Sequence, residues 1–98
     1  GNFCVETGTG VSELSWSPVY DAFCYVLYAA DDTLDIASGE QIVAVLPQER
    51  LFCILPEAHR YYAVTARDRY GNESSPAVWE ERRIELDKYK IVLQSIKE

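Results

Sequence analysis

The sequence predicts an all-β protein, a sandwich of two antiparallel sheets, on the strength of three observations. Apolar and polar residues alternate in short segments, most clearly around Tyr62, Val64 and Ala66, and this period of two places alternate side chains on opposite faces of a strand. Gly, Pro, Asn and Asp interrupt these segments at short intervals. No helical period appears before residue 84, so no crossover helices separate the strands, and they are expected to pair antiparallel.

Seven short strands follow from this pattern, because each segment is rich in the β-branched and aromatic residues that favour strands. The predicted strands comprise residues 2–6, 11–16, 23–30, 41–46, 50–55, 61–69 and 77–80. Pro18, Pro47 and Pro56 mark strand ends, since proline cannot donate a ladder hydrogen bond. Gly71 tolerates a positive φ, so it predicts a tight connection before the last strand.

The last residues have a different pattern. Tyr89, Val92, Leu93 and Ile96 are spaced i, i+3, i+4 and i+7, which predicts a short amphipathic helix, with a strand or extended tail as the alternative. We therefore expect one domain over residues 1–80 and a C-terminal extension or linker over residues 81–98. The absence of Met further suggests either an excised domain of a longer protein or a processed product.

Composition excludes several classes of partner. The 98 residues suffice for one domain. A net charge of −7 argues against binding to nucleic acid and to anionic membrane surfaces, both of which favour basic proteins. No apolar run approaches the roughly 20 residues of a membrane span. The three cysteines, Cys4, Cys24 and Cys53, lie in apolar segments and are interpreted as buried or half-buried, although one disulfide remains an option in an oxidising compartment.

Several landmarks, in their order along the chain, resemble a fibronectin type III domain over roughly residues 3–80. They are Leu14-Ser15-Trp16 before Ser17-Pro18, then Tyr25-Val26-Leu27-Tyr28, then Leu55-Pro56, then Tyr62 to Asp68, and finally Gly71-Asn72-Glu73-Ser74. The resemblance implies a seven-stranded immunoglobulin-like sandwich. Its core would contain Trp16, Tyr25, Leu27, Tyr62, Val64 and Ala66. The family usually has a tyrosine four residues after the proline that corresponds to Pro56, and the hydroxyl of this tyrosine fixes the corner before the next strand. This chain has Arg60 at that position, so the corner is made either by Tyr61 or in another way.

The turn Gly71 to Ser74 after the Tyr62 strand is similar to that of type III modules attached to secreted bacterial polysaccharide-degrading enzymes. This resemblance implies a non-catalytic accessory, spacer or domain-docking module of a larger secreted or surface protein, which lies in the extracellular space, at the cell surface or in the periplasm. Its partners would be neighbouring domains of the parent protein, with polysaccharide as a further candidate. Fold-level analogy of this kind does not itself identify a function.

Candidate site residues are few. Tyr28, Tyr61, Tyr70 and Trp79 are interpreted as outward aromatics, which could form a docking face, stack on sugar rings as a carbohydrate-binding module, or pack locally. No catalytic, cofactor-binding or metal-binding residue is predicted, and we expect no enzyme. His59 is the only histidine, and the carboxylates of Asp31, Asp35 and Glu80 lie in or beside predicted turns.

Overall fold

The structure is a computed structural model that describes residues 3–8 and 10–81, and within them the chain forms seven strands and no helix. The strands are β1 (Phe3–Thr7), β2 (Ser12–Trp16), β3 (Cys24–Ala30), β4 (Ile42–Pro47), β5 (Phe52–Leu55), β6 (Tyr61–Arg67) and β7 (Ala77–Glu80). Each lies within two residues of its predicted position. Beyond Glu81, the predicted C-terminal extension lies outside the residues that the structure describes.

The strands form two antiparallel sheets, as predicted. One sheet has three strands in the order β1-β2-β5, and the other has four in the order β4-β3-β6-β7. The part of the chain that the structure describes has no helix that could span a bilayer.

The core lies between the sheets and contains every core residue predicted from the sequence. The side chains of alternate residues on β2, β3 and β6 meet there, and the rings of Trp16 and Tyr25 lie 5.7 Å apart. The buried members are Leu14, Trp16, Tyr25, Leu27, Ala29, Cys53, Tyr62, Val64 and Ala66.

The four-stranded sheet is also buried on part of its outer face. Val26 and Tyr28 on β3 and Ala63 on β6 form a second cluster there. Leu34 and Ile36, from the loop between β3 and β4, cover this cluster. Consequently β3 and β6 are almost fully buried, although antiparallel sheets commonly leave one face in solvent.

The corner before β6 is made by Tyr62 and not by Tyr61. The hydroxyl of Tyr62 accepts a hydrogen bond from the backbone N–H of His59 at 2.6 Å, and it also bonds to the hydroxyl of Ser12. Ser12 in turn donates to the backbone carbonyl of Glu57 at 2.8 Å. These bonds attach the start of β2 to the loop between β5 and β6.

The sandwich has two ends, which we call proximal and distal. At the proximal end β1 begins beside the end of β2, and the pairing of Cys24 with Pro47 and with Arg67 brings three connections together: residues 17–23, 48–51 and 68–76. At the distal end β7 finishes, because Glu80 pairs with Tyr61. The chain therefore enters the sandwich at one end and leaves it at the other.

Candidate contact surface

The four aromatic residues predicted to face outward do not form one surface. Tyr28 is only 1% exposed, so it is a buried residue of the outer cluster. Trp79 faces the core, where its ring lies 5.7 Å from that of Tyr62. Tyr61 is half-buried beneath the guanidinium of Arg60, which lies 5.4 Å from the ring centre. Tyr70 alone is highly exposed, at 83%, and it lies in the turn after β6.

Tyr28 is on the predicted outer face of its strand, but the connection between β6 and β7 folds over it. The carboxylate of Glu73 accepts hydrogen bonds from the hydroxyls of Tyr28 and Thr65, and Arg67 lies 3.3 Å from its other oxygen. Burial, together with the bond to Glu73, raises the pKa of Tyr28 above its ordinary value. Tyr28 is thus on the outer face as predicted, but it is buried in a polar contact that fastens a loop, so the interpretation of it as an exposed ring is wrong.

Trp79 faces inward because of the strand register. Trp79 is paired with Tyr62, and directly paired residues on neighbouring strands project from the same face of a sheet. Since Tyr62 is a core residue, its partner must face the core as well. The interpretation of Trp79 as an outward ring is therefore also wrong.

A different set of apolar side chains is exposed at the proximal end, and we call it the aromatic end. It consists of Val19, Tyr20, Phe23 and Tyr70. Tyr20 is 95% exposed, and more than half of Phe23 is also exposed. The sequence did not predict Tyr20 as an exposed residue, because apolar residues in loops follow no periodic spacing that would show which way they face. It placed Phe23 inside a strand that in fact begins one residue later, at Cys24.

Hydrogen bonds fix the loop that carries three of these residues. The backbone N–H of Val19 donates to the hydroxyl of Tyr25 at 3.0 Å, and that of Phe23 donates to the carbonyl of Arg67 at 2.8 Å. Asp21 has a φ of 69°, in the left-handed region that non-glycine residues rarely adopt. A loop held in such a conformation presents its apolar side chains in a defined arrangement.

The turn that carries Tyr70 is fixed by Asp68. The Asp68 carboxylate accepts hydrogen bonds from the backbone N–H groups of Tyr70 and Asn72, each at 2.9 Å, and from the side-chain amide of Asn72 at 3.1 Å. The bond from the Asn72 side chain and then those from the backbone lower the pKa of Asp68 below its ordinary value. Gly71, with a φ of 88°, completes the turn, since a side chain is disfavoured at that angle.

A cavity of about 400 Å³ opens at the proximal end beside the aromatic end. Val19 and Phe23 line one part of it, while Gln48, Glu49 and Arg69 supply polar groups. The cavity therefore combines an apolar ring and an aliphatic side chain with side chains that can donate and accept hydrogen bonds, a combination that suits ligand or partner binding.

His59, the only histidine of the sequence, lies between two carboxylates. At the distal end, Nδ1 of His59 lies 3.3 Å from a carboxylate oxygen of Asp31, and Nε2 lies 3.2 Å from one of Glu57. The imidazole thus bridges two loops, and both of its nitrogens face carboxylates. Among residues 3–8 and 10–81, no cluster of three or more His, Cys, Asp or Glu residues could hold a metal ion.

The three cysteines are free, and they differ in exposure. Cys53 is buried, Cys24 is half-buried and Cys4 is exposed on the outer face of β1. The expectation that all three are at least half-buried is therefore wrong for Cys4. Burial raises the pKa of the Cys53 thiol, which makes it a poor nucleophile.

No protein-family model matches this chain, and no curated protein matches it either.

Proposed function

We propose that this chain is a fibronectin type III-like, non-catalytic module that docks or spaces domains within a larger secreted or surface bacterial protein, one that handles polysaccharide. The seven antiparallel strands in two sheets and the core around Trp16 and Tyr62 support the family resemblance. The proposal assigns no catalytic residue, and turnover of a glycan by the purified chain would contradict it.

The observation that carries the proposal is the position of the aromatic end. Exposed aromatic side chains supply large apolar contact area at low conformational cost, and clusters of them on a rigid surface mark interaction sites. Tyr20, Phe23 and Tyr70 lie at the end where β1 begins. A domain that precedes this one in the parent protein is thus the best-placed partner.

The opposite positions of the β1 start and the β7 end support the spacing role. A module whose chain enters at one end and leaves at the other holds its neighbours apart along its own length. Contact at the proximal end would then fix the orientation of the preceding domain, while the sandwich sets the distance to the following one.

The test uses the parent protein with its neighbouring domains in place. We expect the double variant Tyr20→Ser with Phe23→Ser to increase inter-domain motion, seen as a larger maximum dimension in small-angle scattering and faster proteolysis of the linker. The control is Val11→Ser with Val78→Ser, which removes exposed apolar side chains from elsewhere on the surface. Equal scattering profiles for the two double variants would rule out docking through the aromatic end.

The proximal cavity favours a second candidate function, carbohydrate binding. Phe23 offers a ring face, and Glu49 and Arg69 offer hydrogen-bonding groups beside it, which together match the apolar face and the hydroxyls of a pyranose. A glycan array probed with the purified chain, with Phe23→Ala and with Arg69→Ala tests this. Binding that both substitutions weaken would support carbohydrate binding at this cavity. An array without any bound glycan would exclude carbohydrate binding and leave domain docking as the proposed function.

A further inference from the structure

A second cavity lies between the two sheets at the proximal end, and we call it the inter-sheet cavity. Phe3 and Trp16 line it from the three-stranded sheet, while Tyr25, Val64 and Ala77 line it from the four-stranded sheet. Its volume is about 310 Å³, which is large enough for a small ligand. Because β1 and β7 are the edge strands of their sheets and lie close together, the cavity is situated where neither sheet continues.

The walls of the inter-sheet cavity are uncharged. Among the residues that the structure describes, no Asp, Glu, Lys, Arg or His lines it. The proximal cavity, in contrast, is lined by Asp21, Glu49 and Arg69. A charged ligand would lose its hydration in the inter-sheet cavity without finding an opposite charge there, so the cavity suits a neutral ligand.

Two aromatic side chains of the wall carry buried hydrogen-bond donors that lack an acceptor. The Nε1–H group of Trp16 is buried, and no described residue accepts a hydrogen bond from it. The hydroxyl of Tyr25 accepts a hydrogen bond from the N–H of Val19, but within the described part of the chain its own hydrogen has no acceptor. Trp16 is 8% exposed and Tyr25 is 2% exposed, and their ring centres lie 5.7 Å apart. A buried donor without an acceptor costs free energy, which a ligand that supplies an acceptor would recover.

We propose that the inter-sheet cavity binds a small, neutral, ring-containing molecule whose carbonyl oxygen accepts a hydrogen bond from Nε1–H of Trp16. The hydroxyl of Tyr25 is the second donor available to this oxygen. The rings of Phe3, Trp16 and Tyr25 give such a molecule flat apolar contacts. A carbonyl group suits this wall because it accepts hydrogen bonds without adding a donor of its own. Nε1 has almost no area open to solvent, so binding includes a small turn of the indole towards the ligand.

This ligand site is separate from the docking surface proposed above. The inter-sheet cavity shares Val19 and Tyr25 with the proximal cavity, but Tyr20, Phe23 and Tyr70 of the aromatic end do not line it. Ligand binding and domain docking are therefore tested by different experiments, and failure of one leaves the other standing.

Titration of the ¹⁵N-labelled full chain with acetophenone, followed through the two tryptophan indole N–H resonances, tests the proposal. We expect a saturable downfield shift of the Trp16 resonance, because the indole proton gains a hydrogen bond, with a dissociation constant below about 1 mM. Trp79 is the internal control, since it does not line the cavity. The absence of a saturable shift, or equal shifts of both indole resonances, would overturn the proposal.

Two matched compounds test the chemistry of the ligand on the unmodified chain. α-Methylstyrene has the shape of acetophenone with a methylene group in place of the oxygen, and benzoate is an anion of similar size. We expect α-methylstyrene to bind about fivefold more weakly than acetophenone, since it lacks the hydrogen bond. Benzoate should bind about tenfold more weakly or not at all. Equal affinity of acetophenone and α-methylstyrene would contradict donation by the cavity wall, and binding of benzoate as tight as that of acetophenone would contradict a neutral site.

Ala77→Leu tests the location of the site, because a larger side chain at Ala77 fills part of the inter-sheet cavity. Ala44→Leu is the matched control, since Ala44 is also a partly buried alanine beside the core but lies on β4, outside the cavity. We expect Ala77→Leu to weaken acetophenone binding by about tenfold and Ala44→Leu to leave it unchanged. Equal affinities of the two variants would place the ligand elsewhere and overturn the proposal. Circular dichroism melts establish that both variants are folded, and the compound series on the unmodified chain decides the question if either is not.

Discussion

At the scale of single residues, the hydroxyl of Tyr62 helps to join the start of β2 to the loop between β5 and β6, through hydrogen bonds that all run in one direction. The N–H of His59 donates to the Tyr62 oxygen, and the Ser12 hydroxyl donates its one hydrogen to the carbonyl of Glu57. The Tyr62 hydroxyl must then donate to the Ser12 oxygen, since that is the remaining hydrogen between them. Tyr62 and Ser12 are both fully buried, so an unpaired group here would find no water.

We expect Tyr62→Phe to lower the free energy of unfolding by about 1–3 kcal/mol, because it keeps the ring but leaves the His59 N–H without its acceptor. Urea denaturation followed by tryptophan fluorescence measures the change. Tyr61→Phe is the matched control, since the neighbouring Tyr61 hydroxyl has no hydrogen bond among the described residues. Equal losses in the two variants would show that this network does not stabilise the fold.

Alternation along the strands predicted which residues form the core, but it could not decide every outward position. Trp16, Tyr25 and Val64 follow directly from parity, because a period of two separates the faces of a strand. Parity also placed Tyr28 on the outer face correctly. It could not show that Glu73, forty-five residues away, covers that face. In the four-residue strand β7, the alternation of residues does not show which of the two faces points inward. The pairing of Trp79 with the core residue Tyr62 shows that Trp79 is on the inward face.

At the scale of elements, Glu73 fastens the connection between β6 and β7 onto the outer face of the sheet. Burial by itself would raise the pKa of its carboxyl group. Hydrogen bonds from Thr65, Tyr28 and Arg67, together with the positive charge of Arg67, outweigh that effect and lower the pKa below its ordinary value of 4.5. Because the unfolded chain binds a proton at this group more readily than the folded chain does, protonation favours unfolding.

We expect Glu73→Gln to destabilise the protein by about 1.5–3 kcal/mol at pH 7, since charge-assisted hydrogen bonds are lost. This stabilisation by Glu73 is fully present above pH 4.5 and is lost as the pH falls through the lowered pKa of the folded state. The difference from wild type should therefore shrink between pH 4.5 and pH 2.5, roughly the range below the ordinary pKa. Urea midpoints at each pH measure it.

Glu80→Gln is the control for this experiment, because Glu80 is an exposed side chain on β7 and should give almost no difference at either pH. A difference between wild type and Glu73→Gln that stays constant down to pH 2.5 would contradict the assignment. In that case the loss would come from shape and packing, not from the charge of Glu73.

Strand positions were predictable because turn residues interrupt the apolar segments, whereas loop positions were not. Leu34 and Ile36 cover the outer cluster, and Tyr20 is exposed, yet no periodic pattern marks any of them. The aromatic end is a product of strand order, since the pairing of β3 with β4 and β6 brings three separate connections to one end. Sequence spacing alone contains no information about that convergence.

At the scale of the whole molecule, one core joins the two sheets. Leu14 from the three-stranded sheet and Leu27 from the four-stranded sheet belong to the same buried cluster, and both tryptophans contact it. A domain with a single core of this size unfolds as one cooperative unit, and its total stability is typically about 5–15 kcal/mol. Fluorescence from Trp16 and Trp79 therefore reports on the contact between the sheets, while circular dichroism reports on the strands themselves.

Leu27→Ala tests this cooperativity, because Leu27 is completely buried at the centre of the core. We expect a loss of about 2–5 kcal/mol from the lost apolar contact and the cavity that remains. The exposed Val78→Ala should change stability by less than about 0.5 kcal/mol. In both variants the fluorescence and circular dichroism transitions in urea should coincide. If fluorescence were lost at a lower urea concentration than the strand signal in Leu27→Ala, the sheets would separate before they unfold, and the module could not act as one rigid spacer.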